Sequence, residues 1–314
     1  MESLSRRNHP LRDVLDKELQ QRTFGSISAP CRLCHFMLTV SPALRSVELT
    51  LMQQLAQQQG KQLSDNAQDL TLPLYGLWLR WERHGEFSSY TFIRQGIAEP
   101  WFDDPLSFLP SRDWFSELPG QIFRIVQLTI LTAEQSPADT LIRQSFNADN
   151  CISSELAGGQ ARIWTDFQKH AEGAGRMLLL SKGLTGDALG RLAQQLFDLG
   201  NYRKLSLLGW PLARQSLQQL SELELQLAGL TQSIELQQRS DEQLLHDITG
   251  LAAATERLIA ENSNRLQATA AYYQLTLDRL KALQESPLAD HLSLQDFTEK
   301  RLTPAYRTSE AVQR

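Results

Sequence analysis

From Leu212 to Ser286 the chain contains no proline, and its apolar residues in that stretch keep a helical beat. Leu220, Leu223, Leu227, Leu230 and Ile234 follow one another at spacings of three and four. After the polar Gln237 and Asp241 the series resumes with Leu244, Ile248, Leu251, Thr255 and Leu258. Such spacing, sustained over several heptads, is the seam of a coiled coil. At about 1.5 Å per residue the stretch would reach roughly 100 Å if continuous. A helix that long cannot cover its own apolar stripe. It must pack on a partner helix or another subunit, or lie as an amphipathic helix on the globular part, and the polar seam positions leave both arrangements open.

The remainder reads differently. "HPLRDVLDKELQQ" predicts a helix with proline near its start. "APCRLCHFMLTV" predicts a strand bounded by Pro30 and by Ser41-Pro42. "SPALRSVELTLMQQLAQQQG" is a second helix stopped by Gly60. "LYGLWLRWERHGEFSSYTFIRQG" predicts a β-hairpin turning at His84-Gly85, with arms Leu74–Arg83 and Glu86–Arg94. "DPLSFLPSRDWFSELPG" is a short helical connection, "QIFRIVQLTILTAE" a strand, and "SPADTLIRQSF" a short helix. A second hairpin turns at Gly158-Gly159, "GRMLLLSKG" is a last strand, and the segment up to "LLGWP" is a helical pair or a bent helix. The expected fold is α/β of the α+β kind, a mixed sheet of about seven strands covered by helices. Residues 1–205 form this sheet domain and 206–314 a long helical hairpin or coiled-coil stalk. The breaker "ESPLADHLSLQDFTEKRLTP" separates the stalk from a helix beginning near Pro304 and still running at Arg314.

"CRLCH" at 31–35 has the spacing by which haem is covalently attached. In an extended strand, however, Cys31 and Cys34 differ by an odd number and point to opposite faces. A haem clasp needs both thiols on one ring edge, so two core thiols on a strand are expected, with no cofactor. A zinc site from Cys31, Cys34 and His35 lacks a fourth ligand at readable spacing. Cys151 stands far away in sequence, and three cysteines make no disulfide framework.

A net charge of -5 and the lack of a basic run argue against a nucleic-acid partner. No signal peptide and no long apolar span are visible, which predicts a chain on the cytoplasmic side with no transmembrane segment of its own. There is no G-x-S-x-G elbow, P-loop or H-E-x-x-H, so an enzyme has little support and no catalytic residue is assigned.

Two charged groups stand out. Arg80, Glu82 and His84 alternate along a strand end and could share a face, with Arg83 and Glu86 near the turn. Asp166, Lys169, His170, Glu172 and Arg176 follow the Gly-Gly hairpin. If the groups meet, they form an anion or metal site of a ligand-responsive regulator or enzyme. The commoner outcome is a pair of salt-bridged surfaces that orient turns.

"NHPLRDVLDKEL", "SAPCRLCHF", "RWERHGEFSSYTF", "GGQARIWTDFQKHAEGAGRMLL", "GRLAQQLFDLGNYRKLSLLGWPLAR" and "RLTPAYRTSEAVQR" resemble, in this order, the blocks of a bacterial family of predicted membrane-anchored proteins, domain of unknown function 3422. The resemblance covers nearly the whole chain. It implies further coiled helix and a C-terminal membrane anchor beyond Arg314, and so a truncated chain. The family has small or hydroxyl residues where Cys31 and Cys34 stand, and "HARP" where this chain has Gln20-Gln21-Arg22-Thr23. Sheet domain, long helices and membrane segment are also the order of parts in CorA-type magnesium channels, an analogy of architecture alone. The expectation is a homo-oligomer assembled through the long helices, attached to the membrane by a segment outside this sequence, and linked to transport or envelope organisation.

Overall fold

The computed structural model describes residues 25–312 together with His9, Leu11, Arg12 and Leu15. The expected first helix falls almost wholly outside them. Two compact units divide the chain, Met1–Gln195 and Leu196–Arg314.

In the first unit eight strands share one mixed sheet: β1 (Cys31–Thr39), β2 (Asp69–Leu74), β3 (Leu77–Arg83), β4 (Phe87–Gln95), β5 (Gln121–Leu131), β6 (Ile152–Leu156), β7 (Ala161–Thr165) and β8 (Gly175–Ser181). Their order is β2-β3-β4-β1-β5-β8-β7-β6. All the neighbouring pairs are antiparallel except β5 with β8. The mixed α/β class expected from the sequence is therefore the observed one, with one more strand than expected. β2 lies just ahead of the expected hairpin, in a stretch where the sequence pattern shows no strand. Its Leu70, Leu72 and Leu74 alternate inward, but Pro73 lies among them and obscures the pattern. Proline is tolerated there because β2 has a neighbour only on its β3 side within this unit. The turn to β3 is made by Tyr75 and Gly76, both at positive φ (48° and 81°), as a tight hairpin requires.

β1 is buried along almost its whole length, so it reads as a continuous apolar run, not an alternating one. Cys34, Phe36 and Leu38 face α1 (Arg45–Gln58), which presents Met52, Leu55 and Ala56 to them. Ser41-Pro42 leads into that helix through a 3₁₀ turn at Pro42–Leu44, and Gly60 (φ 69°) ends it. α2 (Arg112–Glu117), capped by Ser111, closes the same core with Trp114 and Phe115. α3 (Asp139–Ser145) contributes Ile142 to a smaller core with Phe146, Trp164, Leu178 and Leu180. Leu33, Met37, Leu128, Ile130, Met177 and Leu179 are buried on the opposite face of the sheet. Gly120 enters β5 at φ 105°, and a Cβ there would stand 2.5 Å from the Thr39 carbonyl oxygen.

α4 (Gly186–Leu205) carries the chain across the division between the units. In the second unit, α5 (Trp210–Glu235) and α6 (Asp241–Ala282) form an antiparallel hairpin. The proline-free stretch is thus folded back on itself. The break falls where the apolar seam turns polar: Gln237 takes φ 52°, and Ser240 and Gln243 form a capping box that starts α6.

The terminal helix begins beside Pro304 as expected, and further helical turns precede it from Leu294. Ser293 and Asp296 cap α7 (Leu294–Phe297), and the Glu285 carboxylate accepts from the backbone N–H groups of Leu294 and Gln295. A π-helical turn, Thr298–Leu302, joins it to α8 (Thr303–Ala311). Pro304 lies in the first turn of α8, where a missing N–H costs little. α8 packs on both α5 and α6, with Tyr306 stacked on Tyr273 at 3.8 Å and the Tyr273 hydroxyl 2.9 Å from Thr303 Oγ1.

Candidate functional site

The hairpin charges separate onto the two faces of β3. Arg80 is 6% exposed and pairs with Glu82 two residues along the same face, Nη2 to Oε1 at 2.6 Å. Arg83 points the other way. Its Nε and Nη2 donate to Glu48 Oε2 at 3.0 and 2.9 Å, and its Nη2 also donates to the Arg45 carbonyl. His84 has left the strand, stacks on Phe87 at 4.2 Å, and offers its carbonyl to Arg45. Glu86 sits half-buried in the same turn.

Glu48 is the residue the sequence reading missed. It is fully buried and accepts from Trp81 Nε1 at 3.0 Å and Tyr90 Oη at 2.6 Å besides Arg83. A buried carboxylate is sustained only when its lone pairs are filled, and three donors from two strands fill them here. Burial and the neighbouring Glu48 charge push the Tyr90 phenol well above its usual range. The sequence did carry a signal, because Glu48 stands in register with Met52, Leu55 and Ala56 on the apolar stripe of α1.

Asp166 organises the loop after β7. Its carboxylate accepts from the backbone N–H groups of Asn147 at 2.9 Å and Gln168 at 3.1 Å, and lies 3.0 Å from His170 Nε2. Glu172 and Arg176 form a two-pronged pair at 2.6 and 3.0 Å, with Arg176 also donating to the Ser145 carbonyl. Lys169 is exposed. The two groups do not meet. β3 and β7 are five strand steps apart, about 24 Å at the usual spacing of about 4.8 Å. The first group is tied through Arg83 to α1 and the second through Asp166 and Arg176 to Asn147 and Ser145, and among the described residues no set of three or more His, Cys, Asp and Glu is placed to hold a metal ion.

Cys31 and Cys34 are both fully buried on opposite faces of β1. Burial pushes the Cys31 thiol up to about 12 and holds Cys34 well above its usual range, so neither is a reactive thiolate. His35 lies inside the sheet, Nδ1 2.8 Å from Thr91 Oγ1. On the Cys34 face, Arg32 and Arg94 share Asp103 and bracket the Phe108 ring. Gln127 donates to the Asp103 carbonyl at 2.6 Å. These contacts pin the loop that crosses the sheet.

The helical hairpin presents the opposite condition, apolar surface without cover. Of the ten seam positions read from the sequence, only Leu230 and Leu258 are buried. Leu227, Ile234 and Ile248 are 52%, 49% and 45% exposed, and the other five are half-buried. Where α8 ends, an open groove of about 790 Å³ lies between α5 and α6, lined by Leu217, Leu220, Leu258, Ile259, Leu266 and Val312. No described helix is long and apolar enough to cross a membrane.

No curated protein and no solved structure matches the chain. One family model does, over residues 7–314, described as "Protein of unknown function (DUF3422)". Since the match runs through both units, the chain belongs to the DUF3422 family.

Proposed function

We propose that this protein is a non-catalytic assembly module whose helical hairpin associates with further helices, in the first place with copies of itself. One observation carries the reading. The seam written in the sequence is long enough for a coiled coil, yet only two of its ten positions are buried by the chain's own helices. Exposed contiguous apolar surface of this kind marks an interaction site, because leaving it in water forgoes roughly 25 cal/mol per Å² of burial. The attachment to a membrane and the link to transport or envelope organisation that the family resemblance implies belong to the same proposal.

The charged hairpins do not favour one ligand-responsive site, because each group is satisfied where it stands: Arg80 by Glu82, Arg83 by Glu48 of α1, His170 by Asp166 and Arg176 by Glu172. Two experiments test the proposal. Sedimentation equilibrium on the chain is expected to give concentration-dependent association, and a monomer throughout the accessible range would sink it. Fractionation of cells that make the protein natively tests the membrane component, which is lost if the protein stays wholly in the soluble fraction.

A further inference from the structure

The charges of the hairpin are unevenly placed along its length. The tip half, residues 222–260, carries seven acidic side chains against two basic ones. The base half, residues 210–221 and 261–282, carries four basic against two acidic. In a parallel pairing of two copies the acidic tips would lie against each other. In an antiparallel pairing each acidic tip lies over a basic base, and the unlike charges attract. The open seam spans about 20 residues on each helix. Two helices of about 10 Å width over about 30 Å offer roughly 600 Å² per copy, or about 1,200 Å² in all, the lower end of what a specific interface buries.

We infer that the partner of the hairpin is a second copy of this chain packed antiparallel, α5 and α6 of one copy against α5 and α6 of the other, with the groove around Leu220 and Ile259 near the twofold axis. This rests on the self-association proposed above and adds its direction. Leu227, Ile234 and Ile248 of each copy then face the partner's base, where Leu217 and Leu266 line the groove. The arrangement is isologous and closes at two copies, so it does not propagate into a filament.

The test uses the whole chain with Cys151→Ser and Gln238→Cys, spin-labelled at the exposed hairpin turn, in distance measurements on the associated species. The antiparallel pair places the two labels about 55 Å apart, twice the roughly 27 Å from turn to axis at about 1.5 Å per residue. In parallel, the dissociation constant of the unlabelled chain is measured at low and high salt, and it is expected to weaken about tenfold as the attraction between tip and base is screened. The double variant Glu222→Lys/Glu224→Lys weakens association in low salt for the same reason. Labels within about 15 Å of each other, roughly the reach of two side-by-side helices, with association strengthened by salt, would overturn the antiparallel direction and leave self-association standing. A chain that stays monomeric overturns both.

Discussion

Glu48 shows how a single side chain can hold an element in place. It joins α1 to β3 and β4 through Trp81, Arg83 and Tyr90, and it is wholly out of water. Removing one partner of a buried ion pair leaves the other uncompensated. Glu48→Ala is therefore expected to lower stability by about 3–5 kcal/mol in urea denaturation, whereas Glu82→Ala, whose side chain is partly in water, is expected to cost distinctly less. Equal losses for the two would contradict the arrangement. Its role was only half legible: a carboxylate on an apolar helix stripe signals a buried partner, but the partners lie 33 to 42 residues further along the chain. The thiols were more readable, since strand parity alone separates Cys31 from Cys34. In the folded chain Cys31 holds its proton to about 12, while the unfolded thiol releases it near 9.0. The stability this difference provides is present below about pH 9 and is lost as pH rises towards about 12. A denaturation midpoint that falls between about pH 9 and about pH 11, less steeply in Cys31→Ala, is the expected result. Cys34 and Tyr90 are raised as well and add in the same direction.

At the scale of elements, periodicity and punctuation located most of the sheet. The strands β1, β5 and β8 and the Gly158-Gly159 hairpin could be read because apolar runs there end at glycine, proline or serine. β2 could not, since Pro73 interrupts it and only its position in the sheet makes proline acceptable. The terminal helix α8 begins at Thr303, beside Pro304 as the sequence indicates, whereas α7 ahead of it could not be read: its cap is Ser293 with Asp296, supported by the distant Glu285, and a π-helical turn joins it to α8. Local geometry also sets what can be changed. Gly120→Ala places a methyl against the Thr39 carbonyl at a left-handed φ and is expected to cost about 1–3 kcal/mol or more. Gly85→Ala, where nothing lies within 4 Å of the added Cβ and φ is not left-handed, is expected to be close to neutral by thermal unfolding. Ser240→Ala removes the cap that starts α6 and is expected to cost about 1 kcal/mol, seen as earlier melting of helical ellipticity.

For the whole molecule, the number of strands between two turns proved decisive. The charged groups around His84 and His170 look alike in sequence and suggested one site, but strand order sets β3 and β7 far apart, and no local pattern encodes that order. The helical hairpin gives the converse lesson. Its seam was evident from spacing, and the turn at Gln237 fell where the seam turned polar, yet spacing could not say how little of the seam the chain covers by itself. That shortfall is the basis for the proposed self-association, which is tested most directly by sedimentation equilibrium of the chain beside its Leu227→Glu/Ile248→Glu variant. Both side chains are about half exposed, so the substitutions leave the fold intact by circular dichroism. The account predicts reversible association of the unaltered chain and a monomeric variant. Equal behaviour of the two, whether both monomeric or both associated, would contradict it.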